Sequence, residues 1–194
     1  MTEKRGLNLK KRKIAWGITG SGDRLVETIE VMEKINTRFK KALDLRVYLS
    51  KAGKQVVERY KLMDELREDF SVVLVEVDSN SPFLAGKLQT GVFEFLLIAP
   101  ATSNTVAKIS TGIADSMLSN AAIMALKTFI PVYVMPSDLK EGIIETRLPN
   151  GRNLKIRIRK DDAEHARKLA GMEDVFVLET PEEINQVFDK HFGS

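Results

Sequence analysis

The 194-residue chain contains no cysteine. That excludes disulfides, thiolate catalysis and cysteine-ligated zinc or iron–sulfur centres within it. It has only two histidines, His165 and His191. A histidine metal site is therefore not expected, and both residues read as ordinary surface groups on charged segments. No apolar run approaches the ~20 residues of a membrane span, so no transmembrane helix is expected. The basic residues 1–13 are followed by no apolar signal core. They read as a solvated leader, and the protein is expected to be cytoplasmic. Neither charge sign dominates: 30 Lys and Arg stand against 27 Asp and Glu, for a net charge of +3. That balance does not suggest a nucleic-acid binder. No repeat, low-complexity tract or linker divides the chain, so one domain over residues 1–194 is expected.

What is present is an alternation. Short apolar runs at residues 14–19, 45–49, 71–77, 95–99, 129–135 and 175–178 predict buried strands. Between them apolar residues recur at three- and four-residue spacing, which predicts helices. Leu25, Ile29, Met32 and Ile35 form one such face; Val106, Ile109, Ile113 and Met117 form another. The pattern predicts an α/β fold with a doubly wound, mostly parallel sheet of flavodoxin-like or Rossmann-like type. Residues 112–126 are apolar almost all round, as expected for a helix buried on several sides, including against another subunit.

One stretch organises the rest. Pro100 follows the apolar run at 95–99 and, having no N–H, is expected to end that strand. Thr102, Ser103, Asn104 and Thr105 then stand where a strand's carboxyl end meets a helix's amino end. Ligands bind at that place in open α/β sheets. Free N–H groups and the helix dipole favour an anion there. One of these side chains would suffice as a cap; four exceed what capping needs. The first strand leads likewise into Gly20-Ser21-Gly22-Asp23, a glycine turn before a helix, as in a phosphate cradle. The third glycine of the dinucleotide fingerprint is replaced by Leu25, and no Gly-Lys-Ser/Thr follows. A mononucleotide phosphate is therefore favoured. Ser50 follows the second strand and is either a helix cap or a phosphate ligand. Residues 136–142 provide a third strand end.

Asn150-Gly151 signals a hairpin, expected as an appendage over residues 143–160. After it Lys155, Arg157 and Arg159 alternate with Leu154, Ile156 and Ile158. Three cations on one strand face make either a solvated surface or a contact for an acidic partner or polyanionic substrate.

Taken together, Gly17-Ile18-Thr19-Gly20-Ser21, Ser50, and Pro100-Ala101-Thr102-Ser103-Asn104-Thr105 with the run at 107–115 resemble a known set of motifs. They are those of the flavoprotein superfamily of homo-oligomeric flavin-containing cysteine decarboxylases. The resemblance covers residues 14–135. It implies FMN, held by Thr19, Gly20, Ser21, Ser50, Ala101, Thr102, Ser103, Asn104 and Thr105, with the phosphate on Ser21, Ser50 and the 102–105 turn. It also implies trimers or multiples of trimers with flavins at subunit contacts. The decarboxylases carry a histidine before the second motif, whereas residues 78–95 contain none. Their Pro-x-Met-Asn clamp is replaced by Met135-Pro136-Ser137-Asp138. Both departures argue against cysteine decarboxylation.

With its hairpin and C-terminal extension the chain looks most like the archaeoflavoproteins and dihydromethanopterin reductases. That resemblance implies an FMN-dependent oxidoreductase. It would accept electrons from an acidic donor such as ferredoxin and reduce a small-molecule acceptor such as dihydromethanopterin. The alternatives within the superfamily are a flavin-dependent decarboxylase or prenyltransferase, or a non-catalytic flavin carrier. No side chain is singled out as catalytic.

Overall fold

In the computed structural model, which describes residues 10–193, sixteen elements follow one another. They are β1 (Arg12–Ile18), α1 (Leu25–Arg38), β2 (Leu43–Leu49), α2 (Lys51–Arg59), α3 (Met63–Asp69), β3 (Val72–Val75), α4 (Leu84–Gln89) and β4 (Leu96–Ala101). Then come α5 (Ser103–Thr111), α6 (Met117–Leu126), β5 (Val132–Pro136), β6 (Gly142–Arg147), β7 (Asn153–Ile158), α7 (Lys160–Ala170), β8 (Val175–Val177) and α8 (Glu183–Phe192). The leader expected over residues 1–13 lies outside the described residues up to position 9.

Six strands form one sheet in the order β3-β2-β1-β4-β5-β8, and every pairing is parallel. The order reverses between β1 and β4, which opens a crevice at their carboxyl ends. β6 and β7 form a separate antiparallel pair. This is the expected doubly wound α/β fold with its hairpin extension.

The inner strands β1, β4 and β5 bury both faces because helices cover both, whereas the edge strand β3, confined to Val72–Val75 of the expected run 71–77, is only half-buried. Ile14, Trp16 and Ile18 point into one core with Phe70, Phe95 and Phe188. Ala15, Leu96 and Ile98 point into the other, with Val106, Ile109 and Leu118. The buried Trp16 indole N–H donates to the Ala99 carbonyl at 2.8 Å, so even this large ring is satisfied. Gly17 is small for a reason: a Cβ there would come 2.6 Å from the Leu118 side chain. Behind β3, the Glu76 carboxylate accepts from the backbone N–H of Lys51 at 3.0 Å and of Met117 at 2.8 Å. It thereby ties the starts of α2 and α6 together.

Several expectations are corrected. Pro100 does not end its strand. It sits at the irregularity between Ile98 and Ala101 in the β4–β5 pairing, where a missing N–H is tolerated. Val106, Ile109, Ile113 and Met117 do not share one helix. α5 ends at Thr111, Gly112 turns the chain with φ 80°, and Ser116 caps a new helix, α6. Arg159 leaves the strand to pair with Asp162. His191 is no plain surface group: its Nε2 lies 3.0 Å from the Tyr133 hydroxyl, and its ring centroid lies 4.6 Å from that of Phe95. Burial holds its pKa below the usual histidine range. Among the described residues, no helix is long and apolar enough to cross a membrane.

Candidate functional site

At the crevice, the loops leaving β1, β4 and β5 are joined by side-chain hydroxyls. Thr19, 2% exposed, donates its hydroxyl proton to the Pro100 carbonyl at 2.8 Å. The same oxygen accepts from the Thr102 N–H at 2.8 Å. The Ser137 hydroxyl donates to the Ser21 hydroxyl at 2.6 Å, and the Asp23 N–H donates to Ser21 at 3.3 Å. The Ser103 hydroxyl donates to the Asp138 carboxylate. Thr102 caps α5, accepting from the Thr105 N–H at 3.4 Å. This fixes small polar groups around the amino end of a helix with no acid in its own first turn.

These loops border a cavity of about 430 Å³. One side is polar, with Ser21, Thr102, Ser103, Asn104 and Ser137. The other is apolar, formed by Ile144, Leu148, Pro149, Leu154 and Ile156 of the hairpin. Val56, Arg59 and Tyr60 close it at the end of α2. Glycine leaves room for close neighbours at two points. A Cβ on Gly20 would stand 2.7 Å from the Ala52 methyl, and one on Gly22 would stand 2.5 Å from the Tyr60 hydroxyl. The size suits a cofactor-sized ligand. Hydroxyls and a helix start suit a phosphate, and the hairpin's apolar side suits a flat ring, so the residues present fit a flavin mononucleotide.

Of the site residues read from sequence, Gly20, Ser21, Thr102, Ser103 and Asn104 line the cavity. Thr19, Ala101 and Thr105 stand behind them and fix their positions. Ser50 is set apart: its hydroxyl caps α2, accepting from the Gly53 N–H at 2.9 Å. The sequence reading missed Arg59, Tyr60, Thr146 and the apolar hairpin wall. The alternation at residues 154–158 carried that signal, in the apolar positions opposite the cations.

Burial pushes the Asp23 carboxyl above its ordinary range, with Glu27 and Asp138 adding to the shift and Arg24 opposing it. The Tyr60 phenol is raised by burial and by Asp23. Lys155 and Arg157 are exposed on the outer side of the hairpin. Arg159 instead grips Asp162 through Nε at 2.9 Å and Nη2 at 2.6 Å, which holds the Asp162 carboxyl below its usual range. Among the described residues, no group of three or more His, Asp or Glu is placed to hold a metal ion.

A two-sided cavity at the switch point of a parallel sheet defines an α/β protein of the nucleotide-binding type. More particularly, the chain belongs to the Flavoprotein family, whose model matches residues 2–187. It is 48% identical over 179 residues to an uncharacterized protein of Methanocaldococcus jannaschii, covering 92% of this chain and 95% of the relative. It is 31% identical to the dihydromethanopterin reductase (acceptor) of the same organism, covering 95% of this chain and 97% of the relative. Among solved structures it is similar to Burkholderia xenovorans DmrB in complex with FMN. The TM-score is 0.80 at 27% identity, covering 95% of this chain and 97% of that one.

Proposed function

We propose that the chain is an FMN-dependent oxidoreductase that accepts electrons from a reduced donor such as ferredoxin and passes them to a pterin such as dihydromethanopterin. The observation that carries this reading is the cavity between β1 and β4, polar at a helix start and apolar beneath the hairpin. The reductase named above and the FMN held by DmrB support it.

Ser21, Thr102, Ser103 and Asn104 hold the phosphate end, and Gly20 lets the backbone come close. Thr19, Ala101 and Thr105 keep that turn in place. Ser50 still has its hydroxyl hydrogen to donate, and it steadies the neighbouring helix start. Leu154 and Ile156 cover the ring and exclude water. Bound FMN supplies the electron chemistry; the protein binds, orients and shields. Lys155 and Arg157 offer positive charge to an acidic donor. Copies of the chain assemble, as trimers or multiples of trimers. Phe83, Phe129 and Ile143 are 63%, 80% and 72% exposed, which favours covering them in an assembly. DmrB, for its part, is described as a cubic cage.

The test is an absorption spectrum of the untreated protein, followed by turnover with donor and acceptor. Flavin bands that bleach with dithionite and release FMN on denaturation are expected. A colourless protein that also fails to bind added FMN would overturn the reading. Bound FMN without turnover would leave a flavin carrier instead.

A further inference from the structure

A second cleft of about 560 Å³ adjoins the cavity on the far side of Asp23. Arg24, Lys140, Glu145 and Glu179 line it, so it is polar and charged. Asp23, Ser137 and Ile144 line both spaces, so they form the partition between them. Of these three, only Asp23 carries an ionisable side chain. We propose that Asp23 is the proton donor of this site, carrying protons from the outer cleft to an acceptor reduced in the cavity. This rests on the redox reading above.

The side chain is well placed for that task. Its own N–H is fixed on Ser21, and Ser21 is in turn fixed by Ser137. The Thr146 side chain on β6 faces its carboxyl group and, like Arg24, opposes the upward shift. The charged and titratable groups facing it come from every neighbouring element. They are Arg24 and Glu27 at the start of α1, Tyr60 at the end of α2, and Asp138 after β5. Across the outer cleft stand Glu145 and the ion pair of Lys140 with Glu179 at 3.4 Å. Burial is the largest influence, and it favours the protonated carboxyl. The other candidates suit the task less. Asp138 and Tyr60 line only the inner cavity, and the Tyr60 phenol is raised further from neutrality.

The acceptor class this suits has a carbon–nitrogen double bond, as in a dihydropterin. Its reduction breaks the C=N π bond and forms one C–H and one N–H bond. The carbon takes a hydride from the reduced cofactor, whose two electrons came from the donor. The nitrogen takes the carboxyl proton of Asp23. The carboxylate left behind regains a proton from water in the outer cleft.

Two measurements test this. The first is a carbon-13 titration of aspartate carboxyl groups in the cofactor-free protein, assigned with Asp23→Asn. One signal, absent in the variant, is expected to titrate above the ordinary value of about 3.9; titration at or below that value would overturn the proposal. The second compares reduction of a 7,8-dihydropterin with reduction of ferricyanide, which takes an electron without a proton. In Asp23→Asn the ratio of the two rates is expected to fall about 100-fold. Asp23→Glu should restore much of it, with a rate that falls as pH rises past the carboxyl pKa. An unchanged ratio would overturn the proposal. So would an unaltered protein that reduces ferricyanide but no dihydropterin, since the acceptor class would then be wrong. An unaltered protein that binds FMN yet reduces neither would sink the redox reading itself, and the role of Asp23 with it.

Discussion

The Thr102 N–H donates to the Thr19 hydroxyl at 2.8 Å, although 83 residues separate them. The same hydroxyl donates to the Pro100 carbonyl at 2.8 Å. One buried side chain therefore sets the spacing between the ends of β1 and β4, the two edges of the crevice. Thr19→Val keeps the volume and removes both bonds, leaving a polar backbone group without its partner. The expected loss is about 2 kcal/mol of stability. It should appear as a lower urea midpoint with an unchanged slope. FMN affinity should fall with it, because the 102–105 turn loses its anchor.

Hydroxyls that line the cavity should behave differently from those that only cap. Ser21→Ala and Thr102→Val are each expected to weaken FMN binding by about tenfold, the scale of one hydrogen bond to a charged group. Ser50→Ala is expected to cost about 1 kcal/mol as a lost cap, with a smaller effect on affinity. Flavin fluorescence titrations with thermal melts separate the two. Equal loss of affinity in all three would place Ser50 among the direct phosphate ligands.

The cations of the hairpin divide in the same way. Replacing Lys155 and Arg157 together by Ser should slow reduction by an acidic donor about tenfold at low salt and flatten its salt dependence. Arg159→Ser should leave donor kinetics near those of the parent and lower the melting temperature, because its partner is Asp162 at the start of α7. Rates unaffected by the first pair at low salt would remove the hairpin from donor recognition.

Glu33 lies beside Glu65 and Asp69, and burial followed by these neighbours pushes its pKa from 4.5 up to about 7. The fold thus prefers the protonated form. Its contribution to stability is full below about pH 4.5 and is lost as pH rises through 7. Glu33→Gln is neutral at every pH. It should melt near the parent at pH 4 and above it at pH 8. A gain of the same size at both pH values would mean that packing, not charge, is the cause.

Much of this architecture was legible because burial on both faces leaves a plain mark. The runs at 95–99 and 129–135 are apolar without alternation, and they contain the inner strands β4 and β5, although β5 begins only at Val132 and Phe129 stands exposed in the turn before it. Asn150-Gly151 marked the hairpin for an equally local reason. What escaped depended on distant partners. Pro100 stays in β4 because of a register shift against β5. The helical spacing from Val106 to Met117 runs in phase across a break, so only Gly112 betrayed it. Arg159 fits the strand's alternation until Asp162, three residues on, draws it away. His191 is defined by Tyr133 and Phe95, from two strands far off in sequence. In the site, the polar side was readable as a local cluster, while the apolar side required knowing where the hairpin folds.

Glu76 gives the site a discrimination that none of its lining residues supplies. Its two carboxylate oxygens accept from backbone N–H groups at the starts of α2 and α6, so those donors are already taken. The start of α5 is capped by the Thr102 hydroxyl, as α2 and α6 are also capped by Ser50 and Ser116. A phosphate arriving from solution would have to displace Glu76 to use those N–H groups of α2 and α6. Where the ligand settles is therefore decided as much by the sites already filled as by the one left open.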